Sequence, residues 1–170
     1  MSVRVGRKSD AEAMAQIYVR AANSAWTHLY GAENLAALEA PVDTFRLQLA
    51  SARPRHCVLV AEEHGEPVAF AATRPSEDDD SVGDRSGELD MFYSDPSVWG
   101  RGIGRQLLAS VVEELRHRGF TEATLWTAEE NHRPRRIYEA AGWRLDGGAR
   151  ERVWRGISFR ELRYRIEIVD

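Results

Sequence analysis

The chain has 170 residues, 43% of them hydrophobic and 29% charged, which suits one globular domain spanning 1–170. No apolar run approaches the ~18 residues of a membrane span, the opening MSVRVGRKSD holds no apolar signal region, and the single cysteine, Cys57, excludes an internal disulfide, so a cytoplasmic protein with no membrane partner is expected. The net charge of −4 divides into −7 over residues 1–98 and +3 over residues 99–170, and with no basic-aromatic platform it argues against a nucleic-acid partner.

VRV at 3–5 reads as a short strand. SDAE at 9–12 has the form of a capping box, with Ser9 and Glu12 as its two side chains. The helix behind it carries Met14, Ile17, Tyr18, Ala21 and Ala25 at helical spacing. A second helical segment resumes after Gly31 and ends near Pro41, and a third runs from Asp43 to Ala50. HCVLVAEE (56–63) and PVAFAATR (67–74) flank the turn HGE and predict a hairpin. PSEDDDSVGDRSG (75–87) lacks apolar periodicity and reads as an exposed, solvated acidic loop rather than a metal site at Asp78, Asp79 and Asp80. ELDMFYS (88–94) is a strand. The helix after it buries Ile103, Leu107, Leu108, Val111 and Leu115 and stops at Gly119. A strand over 121–128, a short helix over 133–143 with Pro134 near its start, and strands within VWRGISFRELRYRIEI (153–168) complete the chain. Alternating helices and strands in the second half predict a mixed α/β sheet.

The most informative stretch is WGRGIGR at 99–105, where glycines at 100, 102 and 104 and arginines at 101 and 105 open a helix. A helix N-terminus leaves about four N–H groups unpaired and carries about half a positive charge. Glycines clear the approach to that backbone, and arginines add charge-assisted donors. A phosphate group is the natural ligand. The spacing fits neither a P-loop nor a dinucleotide fingerprint: no lysine follows, and the third position of G-x-G-x-x-G falls on Arg105 or Leu107.

Trp99-Gly100-Arg101-Gly102-Ile103-Gly104 resembles the [QR]-x-x-G-x-[GA] signature of the GNAT superfamily of acyl-CoA-dependent N-acetyltransferases, with Trp in place of Gln or Arg at the first position. Downstream, ENHRPRRIYEAAGW supplies a second resemblance through Asn131, Tyr138, Gly142 and Trp143. The resemblance covers essentially the whole chain, loosely over 20–55. It implies a mixed, mostly antiparallel central sheet of six to seven strands flanked by helices, with a splayed parallel strand pair. It also implies acetyl-CoA as co-substrate. Pantetheine would run along the main chain of Met91, Phe92 and Tyr93, and the pyrophosphate would sit on the amides of Arg101, Gly102, Ile103, Gly104 and Arg105. Asn131 would meet the cofactor's amide region, and Arg133, Arg135 or Arg136 its 3′-phosphate. A homodimer is common in such proteins.

The chemistry needs a neutral amine, whereas a primary amine has pKa ~10, so a base is required. Glu88 is the candidate, with Asp90 two residues on as the alternate on the same strand face. The leaving thiolate needs a proton, which the resemblance assigns to Tyr138. An oxyanion would be met by a backbone N–H near Phe92. The five histidines show no metal-ligand spacing, so no metal is expected. Trp26 and Tyr30 near the Gly31 break offer an aromatic wall for the acceptor, a small-molecule or peptide amine, and Arg150, Arg152 and Arg155 would suit an acidic one. The alternative on the same fold is a non-catalytic acyl-CoA-binding module.

Overall fold

The computed structural model describes residues 1–51, 53–81 and 83–168. Seven strands, β1 (Ser2–Val5), β2 (Cys57–Glu63), β3 (Glu66–Pro75), β4 (Ser86–Ser94), β5 (Glu122–Ala128), β6 (Arg144–Trp154) and β7 (Ile157–Glu167), form one sheet in the order β1-β2-β3-β4-β5-β7-β6. Every neighbouring pair is antiparallel except β4 and β5. Their parallel pairing needs a crossover, which α5 (Ile103–His117) supplies. The other helices are α1 (Ala11–Ala25), α2 (Thr27–Tyr30), α3 (Ala32–Ala36), α4 (Val42–Ala50) and α6 (His132–Ala140). None of the described helices is long and apolar enough to cross a membrane.

The runs CVLVA and AFAA are apolar at every position because both sheet faces are covered. Cys57, Leu59, Ala61, Ala69 and Ala71 pack with Leu107, Leu108, Val111 and Leu115 of α5 on one face. Val58, Val60, Phe70 and Ala72 pack with Met14, Ile17 and Phe45 on the other. Each fully buried apolar side chain of α5 contributes roughly 1.5–3 kcal/mol, so this crossover helix is firmly seated.

Four expectations need correction. The Ser9–Glu12 capping box does not form: α1 begins after Asp10, whose buried carboxylate accepts from the Arg7 N–H at 2.7 Å and pairs with Arg4 at 2.8 Å. A charge-assisted acceptor outcompetes a serine hydroxyl there. The second helical segment is shorter than expected: after Gly31 only α3 forms, ending at Ala36, and residues 37–41 are not helical. The last strands start earlier than the pattern suggests, since β6 runs from Arg144 through the polar, glycine-containing RLDGGARER with a register shift between Leu145 and Ala149. As an exposed edge strand it lacks the alternation that a buried face imposes. Finally, the acidic loop folds back onto the sheet. Asp78 accepts from Trp126 Nε1 at 3.0 Å and Thr124 Oγ1 at 3.2 Å, and Asp80 makes a two-pronged pair with Arg163 at 2.6 Å. Val82 of that loop lies outside the described residues.

Candidate active site

The site begins where two strands part. β4 and β5 pair only over Ser86–Glu88 and Glu122–Thr124. Beyond that, β4 continues to Ser94 beside β3 while β5 turns away to β7. A bulge helps to bend β4: Ala72 pairs with Met91 but Thr73 with Leu89, so Asp90 is the extra residue. The fork opens into a cavity of about 580 Å³. The bulge also changes which side chains share a face. By register with Phe70, Ala72 and Arg74, Glu88 joins Met91 and Tyr93 on the α1 face, while Phe92 points with Tyr138 and Ile137 toward the α5 side. The cavity is lined by Glu88 from one face and Tyr138 from the other.

At one end of the fork lies the glycine turn. Asp95 accepts from the Ser97 N–H at 2.9 Å and starts a 3-10 turn over Pro96–Val98. Gly100 and Gly102 follow with φ of +82° and +83°, a conformation that L side chains resist. No atom lies within 4 Å of where their Cβ atoms would stand. The first α5 bond runs from Gln106 N–H to the Gly102 carbonyl at 3.1 Å, so the amides of 103–105 are the open ones of the helix start. A Cβ on Gly104 would face Phe92 at 3.6 Å and Ile137 at 3.9 Å, both cavity-lining, and would narrow the slot. This main-chain cradle fits a diphosphate.

Arg101 contributes less than expected. Its N–H is directed at the Val98 carbonyl at 3.4 Å and its guanidinium pairs with Glu63 at 2.9 Å, so the cradle starts at Gly102. Arg105 is exposed, with no ion pair among the described residues. Trp99 donates from Nε1 to the Ser94 carbonyl at 3.0 Å, and Arg133 lies over its ring at 4.3 Å. Of the three candidate arginines only Arg133 lines the cavity. Arg135 is bound to the Tyr164 hydroxyl at 2.9 Å and the Glu129 carbonyl at 2.5 Å, and Arg136 is exposed on α6. Asn131 caps α6, lines the cavity and donates to Thr127 Oγ1 at 3.4 Å.

At the fork, Arg74 gathers three carboxylates: Glu77 at 2.7 Å, Glu88 at 3.1 Å and Asp90 at 3.3 Å. Glu88 is 6% exposed. Burial pushes its carboxyl up to about 7, against the Arg74 charge, with Asp90 and Asp78 adding to the rise. Asp90 is the more open of the two. Tyr138 is buried against Phe92 and Tyr164, with ring centroids 5.8 and 6.0 Å away. Burial holds its phenol well above the usual value, and no hydrogen-bond partner engages its hydroxyl among the described residues. Met91 turns its side chain into the α1 core and offers the fork main chain, whereas Tyr93 packs on the same core and also lines the cavity.

The far end is aromatic. Trp26 and Tyr30 line it, in company the sequence does not signal: Tyr30 lies 4.5 Å from Trp154 and 5.4 Å from Phe159, centroid to centroid, and Trp26 5.9 Å from Tyr93. His28 Nε2 meets the Glu130 carbonyl at 3.2 Å and ties α2 to the loop before α6. Arg150 and Arg152 line the cavity, whereas Arg155 lies on the β6–β7 turn outside its lining. No cluster of three or more His, Cys, Asp or Glu able to hold a metal occurs among the described residues, and Asp78 and Asp80 are engaged by Arg163 instead.

Comparison with known proteins points to one family. The sequence profile of the Acetyltransferase (GNAT) family matches residues 11–143. An uncharacterized N-acetyltransferase of Archaeoglobus fulgidus is 28% identical over 138 residues, covering 81% of this chain and 89% of the relative. The mycothiol acetyltransferase of Acidimicrobium ferrooxidans is 31% identical over 97 residues, 57% of this chain but only 31% of that protein's length. In fold the chain resembles the yncA acetyltransferase of Salmonella typhimurium, solved with its cofactor acetyl-CoA, with a TM-score of 0.75 at 19% identity over 99% of this chain and 94% of the other.

Proposed function

The chain belongs to the GNAT acetyltransferase family, and on that premise we propose that it is an N-acetyltransferase, moving an acetyl group from acetyl-CoA directly to the primary amine of a small molecule or peptide. The observation that carries this reading is the fork: an open main-chain cradle at one end, and a buried carboxyl and a buried phenol lining the cavity from opposite faces.

The residues fit the carrier. The amides of 103–105, beside Gly102, receive its diphosphate, the unpaired edge of β4 over Met91, Phe92 and Tyr93 receives its pantetheine amides, and Asn131 lies on the same wall. Acetyl-CoA supplies, when bound, an acetyl thioester open to attack. The protein's own groups handle the protons. An ammonium entering the fork meets Glu88, whose carboxyl, at about 7, changes charge within the working range and accepts a proton above that pH. Tyr138, buried and with its phenol held well above the usual value, keeps its proton at working pH and is a donor lining the same cavity. Desolvation raises a thiol as it raises a phenol, so donor and leaving sulfur stay matched. A backbone N–H near Phe92 serves an oxyanion. No nucleophilic side chain is needed, and Cys57, buried in β2 with its thiol pushed up to about 11, is in no position to act as one.

The test is a thermal-shift measurement with acetyl-CoA followed by a thiol-release assay across an amine panel. Stabilisation by acetyl-CoA together with amine-dependent thiol release is expected, and Tyr138→Phe should lower kcat about 10- to 100-fold with acetyl-CoA affinity retained. Acetyl-CoA binding with no turnover of any amine would favour a non-catalytic carrier-binding module. An unchanged kcat in Tyr138→Phe would remove Tyr138 from the chemistry.

A further inference from the structure

The amine chemistry leaves one part of the cavity without a task. Where β6 and β7 turn back toward α1 and α2, the lining includes Arg150, Arg152 and Glu161 together with Tyr30, Trp154 and Phe159. Among the described residues Glu161 is the one acid there that these arginines contact: its Oε2 lies 2.7 Å from Arg150 Nε and 3.7 Å from Arg152 Nε. Two guanidiniums on one carboxylate leave a net positive charge. Both contacts use Nε, so the Nη groups that read a carboxylate in a fork are engaged by no acid among the described residues. Arg150 is held in place by the Trp126 ring at 4.0 Å. Trp126 in turn is fixed by Asp78.

The balance is reversed at the fork, where one arginine, Arg74, makes the ion pairs of three acids, Glu77, Glu88 and Asp90, among the described residues. The cavity is therefore polarised, acidic where an acceptor nitrogen would meet Glu88 and basic at the hairpin. Glu88, Arg150 and Arg152 line the same cavity, so the two ends belong to one site. A plain alkylamine gains nothing from the basic end, and a polyamine is repelled by it. Resting on the acetylation reading above, we propose that the acceptor is an α-amino acid or a close analogue, its amine directed to Glu88 and its carboxylate held by Arg150 and Arg152.

The experiment is calorimetry on the protein with and without coenzyme A, using the standard α-amino acids, their carboxamides and their decarboxylated amines, for example L-phenylalanine, L-phenylalaninamide and phenethylamine. At least one acid is expected to bind about tenfold or more tighter than its amide. Arg152→Gln should close that gap while leaving the affinities for the amide and for coenzyme A unchanged. Glu161→Gln frees both guanidiniums and should raise acid affinity, which a disrupted hairpin would not do. The inference is overturned if every acid fails to bind, if amide or amine binds as tightly as acid, or if the gap survives in both Arg152→Gln and Arg150→Gln. Acid-selective binding without acetylation of any amine would sink the acetylation reading and spare this one. Equal acetylation of phenethylamine and phenylalanine would do the reverse.

Discussion

The glycine turn and the cavity beside it are made of different material. The glycine end is main chain from one contiguous stretch, residues 94–106, in which two left-handed glycines and a helix start leave amides open. The fork and hairpin end is side chain, with Arg74 from β3, Glu88 and Asp90 from β4, Trp126 from β5, Arg150 from β6 and Trp26 from α1's C-terminal cap. Main-chain donors survive most substitutions nearby and fail only when something fills the space. An assembly of charges fails differently, because neutralising one member shifts the protonation of the rest.

Filling the glycine end should have the largest effect. Gly102→Glu places a side chain at φ +83° and an anion at the proposed diphosphate cradle, so the heat of acetyl-CoA binding should vanish in calorimetry. Gly102→Ala separates the two causes: it incurs the left-handed backbone cost of about 1–2 kcal/mol, visible as a lower Tm, while keeping the site open and binding intact. Undiminished binding in the glutamate variant would mean that the ligand does not use this cradle.

At the other end, Glu88→Gln should lower kcat/KM by about 10²- to 10⁴-fold and leave acetyl-CoA affinity as it was. The wild-type rate should rise with pH through about 7, because burial keeps the proton on Glu88 until then and only the carboxylate accepts one. The variant should lose that inflection. Arg74→Gln sharpens the point, since Arg74 opposes the effect of burial and its loss should move the inflection above 7. An inflection that persists in Glu88→Gln would transfer the role to Asp90 or to water.

The same contrast explains what could be read in the sequence. Gly100, Gly102, Gly104, Asn131 and Tyr138 stand at short fixed spacings because one helix start and one helix face position them, and local geometry leaves a local pattern. Arg74, Asp78, Trp154 and Phe159 line one cavity only through the register of five strands, and nothing near any of them in the chain records the others. The acidic run looked solvated because its partners, Trp126 and Arg163, lie 48 and 83 residues away. β6 leaves little pattern for a different reason: an edge strand exposed on most of its length carries charges and glycines that resemble a loop. The bulge at Asp90 was equally silent, and it is what sets Glu88 and Phe92 on opposite faces.

The smallest expected effect lies at the junction of main chain and side chain. Trp99 stands where the family signature has Gln or Arg, so the cradle's first position offers a ring in place of a polar group. That ring is fixed by Ser94 and carries Arg133 at 4.3 Å, which returns a cation to the mouth from α6. A cation–π contact at an exposed site is worth about 0.5–1 kcal/mol, enough to orient the guanidinium but not to dominate binding. Arg133→Gln should therefore weaken acetyl-CoA binding only about three- to tenfold, consistent with one lost phosphate contact at a wet surface. Dephospho-coenzyme A locates that contact. If Arg133 meets the 3′-phosphate, wild type prefers coenzyme A and the variant binds both ligands alike. If it meets the diphosphate, the preference is the same in both proteins. Trp99→Gln should reproduce part of the Arg133→Gln loss, because the guanidinium then has no platform, and a full-strength Trp99→Gln protein would show that Arg133 is held by the ligand alone.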